Sequence, residues 1–244
     1  FRRVLFRSME HTTVSFMVSF GRGLIAHELG HQWFGDKVTC GSWKDIWLNE
    51  GFATYLAAMV IENFDGNAAF VTEKSNMINS ITSQPGGAVY LTDAETNNVN
   101  RIFSSRLSYN KGAMVLSMLR WKLGDTAFFQ ALRNYLADPN LAYAYANTPD
   151  LQAHLEAVYG QSLSEFFSDW VYNQGYPSYT IVAHNESPGV VKFTVSQTQS
   201  HSSVSFFEMP LPVRVDVLLG EELDLVVDNT SNNQVFLKNV PFTV

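Results

Sequence analysis

His27-Glu28-Leu29-Gly30-His31, with Glu50 nineteen positions after His31, restricts the architectures open to this chain more than any other feature. Two imidazoles four residues apart can reach one cation when the segment is α-helical, because that spacing sets them about one turn apart on one face. Glu50, inside Trp47-Leu48-Asn49-Glu50-Gly51, reaches the same cation only from a second element packed on the first. Two histidines and a glutamate, with the fourth tetrahedral position left for water, form a catalytic zinc pattern. Glu28, next to the first ligand, is then the candidate general base. With 6 His in 244 residues, such a motif arises by chance in roughly one chain in a hundred, and the matching glutamate lowers that by about twentyfold. The outline is that of a metal-dependent peptidase with His27, His31 and Glu50 as ligands.

The surrounding pattern predicts a helix over residues 23–34, with Leu24, Ile25, Leu29 and Phe34 toward the core and Gly35 ending it. A second helix opens at Ser42 as N-cap, with Asp45 three residues on, and runs to about residue 62. Its stripe of Trp43, Trp47, Glu50, Thr54, Ala57 and Ile61 is mostly apolar, so Glu50 points inward. An unpaired carboxylate there is costly, and a zinc ion removes the cost. The metzincin pattern needs Gly and His where this chain has Phe34 and Lys37, so it fails. A thermolysin-type enzyme shares the glutamate-ligand logic.

Helical periodicity continues to about residue 174. Phe70, Met77, Ile78 and Ile81 form one stripe, ended by Pro85-Gly86-Gly87. Residues 92–105 are polar and read as a long loop suited to binding, and 107–123 as a helix. A further helix carries Phe128, Phe129, Leu132 and Tyr135 up to Pro139. Thr148-Pro149 starts another, and Ser162 with Glu165 caps the last, which bears Phe166, Phe167, Trp170 and Val171. Near Gly175-Tyr176-Pro177 the period changes to the alternation of half-buried strands: Val191, Phe193, Val195, then Val213, Val215, Val217, then 223–227 and 235–244. The expected fold is α+β: a mainly helical, thermolysin-like catalytic domain over residues 9–176, then a small antiparallel β-sandwich of six or seven strands over 177–244.

His27-Glu28-Leu29-Gly30-His31-Gln32-Trp33-Phe34-Gly35-Asp36 together with Trp47-Leu48-Asn49-Glu50-Gly51-Phe52-Ala53 resembles the zinc aminopeptidase N family, gluzincins that include leukotriene hydrolase. Ser8-Met9-Glu10-His11 is similar to the family's Gly-x-Met-Glu-Asn strand, and Ser108-Tyr109-Asn110-Lys111-Gly112-Ala113 to its tyrosine segment. The resemblance implies one zinc per chain and removal of the first residue of peptides that bring a free amino terminus. It implies that Glu10, with Met9 beside it, holds that amine, and that Tyr109 donates a hydrogen bond to the oxyanion. His11 stands where Asn is common, and only sixteen residues separate Glu10 from His27. Both features are similar to secreted bacterial members and imply a secreted or cell-envelope location. Residues 1–8 match nothing in the family and read as a non-native start; the family's N-terminal domain is not in this sequence. An epoxide-hydrolysing relative and a catalytically inactive peptide-binding module are the alternatives.

Other candidates take plainer readings. Lys111 is expected to be a solvated charge, Asp45 a cap, Asn49 a packing or ligand-orienting group, and Cys40 a small buried apolar residue. His154, His184 and His201 lie outside every motif. A single cysteine excludes an internal disulfide framework. A net charge of −7 without a basic cluster argues against nucleic acid or an anionic membrane as partner, and no apolar run reaches membrane-spanning length.

Overall fold

The computed structural model describes residues 8–216 and 222–240. Of the segment expected to be non-native, all but Ser8 lies outside them. The chain is a mixture of helix and antiparallel sheet and divides into two compact units, Phe1–Asn173 and Gln174–Val244.

The first unit opens with a tight hairpin. Met9 and Phe16 exchange both backbone hydrogen bonds, at 3.0 and 2.9 Å, around a turn closed by Val14 N–H donating to His11 O. Then follow α1 (Arg22–Gly30), β1 (Val38–Cys40), α2 (Trp47–Asp65), α3 (Asn67–Thr82), α4 (Val99–Ile102), α5 (Gly112–Leu123), α6 (Asp125–Ala137), β2 (Ala144–Ala146), α7 (Thr148–Tyr159) and α8 (Ser164–Phe167). Its core holds Trp47, Phe52, Phe128 and Tyr135, all fully buried, with Phe34 stacked on Phe52 at 3.9 Å between centroids.

Several local expectations are corrected. The first helix ends at Gly30, and the chain passes His31 to Phe34 in turns. Ile25 and Leu29 are exposed, Leu29 at 54%, because the side of α1 turned to α2 carries Glu28, Gly30 and the histidines. Trp43 and Ile78 are exposed too. Ser42 caps a 3₁₀ turn, Trp43–Asp45, rather than α2 itself: its Oγ accepts from Lys44 N–H at 3.1 Å. Asp45 does cap, but it caps α7, its Oδ1 accepting from Thr148 N–H at 2.8 Å and Thr148 Oγ1 at 2.7 Å. Trp47 Nε1 donates to the same Thr148 Oγ1 at 2.9 Å, so α2 and α7 share a buried, fully paired clamp. The supposed loop at 92–105 contains a 3₁₀ turn, Glu95–Asn97, and α4; Arg101 binds Glu95 Oε1 and Ala88 O, both at 2.8 Å. Strands β1 and β2 pair in parallel, Val38 opposite Ala144, and three residues each are too few for periodicity to register. The helix foreseen at 107–123 begins as a π-helical turn, Ser105–Lys111, before becoming α5. Asn147, with Asp150, forms the capping box of α7. Ser162 accepts from Ser164 N–H at 3.2 Å before α8, which continues as a π-helical turn, Ser168–Tyr172.

In the second unit β3 (Pro177–Ser187), β4 (Val190–Gln199) and β7 (Gln234–Asn239) form one antiparallel sheet, and β5 (Met209–Asp216) and β6 (Glu222–Asn229) form another. Val191, Phe193, Val213, Val215, Leu223, Leu225, Phe236 and Val240, from both sheets, pack in one apolar cluster. Among its described residues this unit has five strands, where about six or seven were expected. Val217 and residues 241–244 lie outside the described residues. The pattern missed β3 because β3 pairs with β4 alone at the sheet edge and stays largely exposed on both faces.

Candidate active site

Helices α1 and α2 approach closely enough that a Cβ on Gly30 would lie 3.3 Å from the Ala53 Cα and 3.2 Å from Leu56 Cδ1. That approach brings the three expected ligands together. His27 Nε2 and His31 Nε2 are 3.1 Å apart, and Glu50 Oε2 is 3.2 Å from the first and 3.4 Å from the second. Tetrahedral zinc with ligand bonds of about 2.0–2.1 Å separates its ligand atoms by about 3.3 Å. The triad matches that edge on all three sides.

The proton count points the same way. His31 Nδ1 lies 3.0 Å from Phe34 O, so that nitrogen carries a hydrogen and Nε2 is left with its lone pair toward Glu50. Glu50 Oε2 is buried without a hydrogen-bond partner of good geometry, facing the two ring nitrogens. Without a cation the triad gathers protons instead. Burial opposes the His31 imidazolium, but Glu50 overrides burial and lifts it to about 9. Burial likewise pulls the Glu50 carboxyl up, and the nearby His27 and His31 rings override it, to about 2. The pocket demands positive charge, and its donor set suits zinc.

Glu28 is 4% exposed and adjoins the triad; burial raises its carboxyl, only partly offset by His27 and His31. One oxygen each of Glu10 and Glu28 and one ring nitrogen of His31 lie within 4.8 Å of one another. The hairpin therefore delivers Glu10 to the metal site, whereas Met9 forms the hairpin's backbone bridge and is half exposed. Gln32 holds this side together: its Nε2 donates to Asp36 Oδ2 at 2.8 Å and approaches Glu10 O at 3.5 Å. Gln32 had no assigned role; its place one residue after the second histidine was the available signal.

Tyr109 comes from the π-helical turn, and its ring lies parallel to His27 at 5.8 Å between centroids. The turn reaches that place because α2 and α5 touch backbone to backbone. A Cβ on Gly51 would meet Gly112 C at 3.0 Å, and one on Gly112 would meet Gly51 Cα at 3.1 Å. A π-helical segment of this kind recurs at functional sites.

Lys111 corrects the sequence reading. It is 4% exposed, and its Nζ donates to Gly87 O at 2.9 Å. Burial, with Arg106 and Arg101 nearby, lowers its ammonium to about 7. Asn49 ties α2 to β1, its Oδ1 accepting from Cys40 N–H at 3.0 Å. Cys40 is half buried against Ile46, Leu91 and Ile102, and burial pushes its thiol up to about 12. His154 pairs with Asp138 and His184 with Glu186.

Residues 10–170 match the Peptidase family M1 domain, a span that contains Glu10, His27, Glu28, His31, Glu50 and Tyr109. The chain belongs to peptidase family M1. Among its family M1 relatives, Aminopeptidase M1-C of Oryza sativa subsp. japonica is 35% identical over 157 residues, covering 63% of this chain and 18% of that protein. Tricorn protease-interacting factor F2 of Thermoplasma acidophilum is 29% identical over 245 aligned positions, covering 98% of this chain and 30% of that protein. The crystal structure of an M1 zinc metallopeptidase from Deinococcus radiodurans superposes with a TM-score of 0.60 at 29% identity, covering 69% of this chain and 37% of that one. The chain thus spans 18% and 30% of the length of these two curated relatives. Among the described residues no helix is long and apolar enough to cross a membrane.

Proposed function

We propose that the protein to which this chain belongs is a zinc-dependent aminopeptidase, with residues 9–176 as its thermolysin-like catalytic domain and 177–244 as a β-sandwich. Family M1 membership, relatives named as aminopeptidases and the ligand geometry of His27, His31 and Glu50 support it. Zinc, when bound, supplies Lewis-acid polarisation of the scissile carbonyl and acidifies water. Glu28 takes the proton of the attacking water and hands it to the leaving amine; the burial that raises its carboxyl suits both transfers. Tyr109 donates to the oxyanion as the carbonyl turns tetrahedral. The observation that carries amino-terminal specificity is the Glu10 carboxylate beside Glu28 and His31. A carboxylate there is useful to a substrate whose α-ammonium lies one residue from the scissile bond. The short Glu10–His27 connection supports a secreted or cell-envelope location, which a signal sequence in the upstream reading frame would test.

The test is N-terminal acetylation of a peptide substrate with the zinc-loaded full-length protein. A charge-assisted hydrogen bond to the amine is worth about 1.5–3 kcal/mol, so blocking it lowers kcat/KM by roughly ten- to a hundredfold or more. Glu10→Ala should raise KM for free-amine peptides and shrink the acetylation penalty. Internal cleavage of blocked peptides at comparable rates would mean a thermolysin-like endopeptidase instead, and hydrolysis of a lipid epoxide without any of an aminoacyl anilide would favour the epoxide reading.

A further inference from the structure

The turn that presents Tyr109 is tied at both ends to the end of α3 and the loop after it by basic side chains that donate to backbone carbonyls. At its start, Arg106 Nη1 donates to Ile81 O at 3.1 Å, Gln84 O at 3.4 Å and Gly86 O at 2.9 Å. At its end, Lys111 Nζ donates to Gly87 O at 2.9 Å. The loop is pressed against the turn: Gly87 has φ +106°, and a Cβ there would lie 2.7 Å from Leu107 Cδ2 and 2.8 Å from Arg106 Nη2. Ser108, fully buried between the anchors, donates from Oγ to Ile102 O at 2.7 Å. Tyr109 therefore sits on a short, fixed span.

A lysine is an expensive way to fill this space. Replacing a buried charged group by an apolar side chain of similar volume is often neutral or stabilising, so stability does not account for Lys111. What an apolar side chain cannot supply is the bond that fixes the end of the turn relative to the loop. A π-helical turn is also a rare geometry, less self-supporting than an α-helix.

We propose that Lys111 and Arg106 are positioning residues for Tyr109, locking its π-helical turn onto the 81–87 segment so that the phenol stays beside His27. This inference rests on the aminopeptidase reading and deepens it. A donor that strengthens its bond as charge develops must already be in place, and a displacement of about 1 Å can cost a hundredfold in rate.

The experiment is a double-mutant cycle on the zinc-loaded full-length protein, with an aminoacyl anilide as substrate: Lys111→Met, Tyr109→Phe and both together. Lys111→Met should lower kcat about tenfold, with KM and zinc content near wild type. In the Tyr109→Phe background it should cost nothing further. Losses that multiply would show that Lys111 does not act through Tyr109 and overturn the proposal. Tyr109→Phe with wild-type kcat would instead remove the catalytic role beneath it, and the proposal with it. Hydrogen exchange supplies a readout free of activity. Amides of residues 105–112 should exchange faster in Lys111→Met while those around His31 and Glu50 keep their protection; unchanged exchange in the turn overturns the anchoring. Should Lys111→Met not fold, Arg106→Gln in the same cycle reads the other anchor, with the same outcomes for and against.

Discussion

Gly51→Ala probes whether the contact between α2 and α5 sets the site. Gly51 follows the candidate ligand Glu50 directly, and its added Cβ would meet backbone atoms: Gly112 C at 3.0 Å, Gly112 Cα at 3.1 Å and Ala113 N at 3.4 Å. Comfortable carbon contacts begin at about 3.5 Å, so the two helices must separate by about 0.5 Å at this point. Overpacking of this kind costs about 1–3 kcal/mol, and alanine returns up to about 1 kcal/mol of helix propensity. The net expectation is a loss of about 1 kcal/mol in urea or thermal unfolding. The catalytic effect should be larger, because Gly112 directly follows the turn that bears Tyr109 and the separation moves the phenol relative to the ligands. With a 1 Å misplacement costing up to about a hundredfold, half of that predicts a kcat loss of about tenfold, with zinc content unchanged. Gly23→Ala is the control. Its Cβ meets nothing within 4 Å, so it should leave kcat alone and be neutral or slightly stabilising. A Gly51→Ala enzyme as stable and as fast as wild type would refute the idea that this backbone contact positions the tyrosine.

Glu50→Ala should lower the zinc content measured by atomic absorption sharply, since it removes the carboxylate oxygen that lies 3.2 and 3.4 Å from the two imidazole nitrogens; full retention would remove Glu50 from the ligand set. Glu28→Gln should keep zinc but lower kcat by about 10²–10⁴-fold, and near-normal turnover would deny it the role of base. Lys111 gives a pH signature. Its ammonium is lowered to about 7 in the folded chain, so between about pH 7 and its ordinary value of 10.5 the unfolded chain binds the extra proton. Stability relative to Lys111→Met should therefore rise with pH across that window, by up to about 1.4 kcal/mol per pH unit; a flat or falling difference would show that Lys111 is not buried as described.

The chemistry was legible in the sequence because zinc ligation imposes short-range rules. The i, i+4 histidines, the glutamate between them and a glutamate on a following helix can be recognised before any packing is known. Long, strongly periodic helices such as α3, α6 and α7 were legible for the same reason, as was the change to alternation after Pro177. The errors fell where the environment departs from the apolar-inside rule. Around α1 the buried side is the polar ligand side, so Ile25 and Leu29 point outward.

By itself, then, the sequence named the candidate ligands, the candidate base and the order of helical and β regions, since each depends on spacing along the chain. Tertiary structure decided everything that depends on residues far apart in it. It turned Asp45 from a cap for its own helix into the cap of α7, and it let Gly51 and Gly112 bring Tyr109 to His27. It also took Lys111 out of solvent by closing the 81–87 segment over it, because a lysine's charge marks it as exposed until a partner carbonyl arrives from elsewhere in the chain.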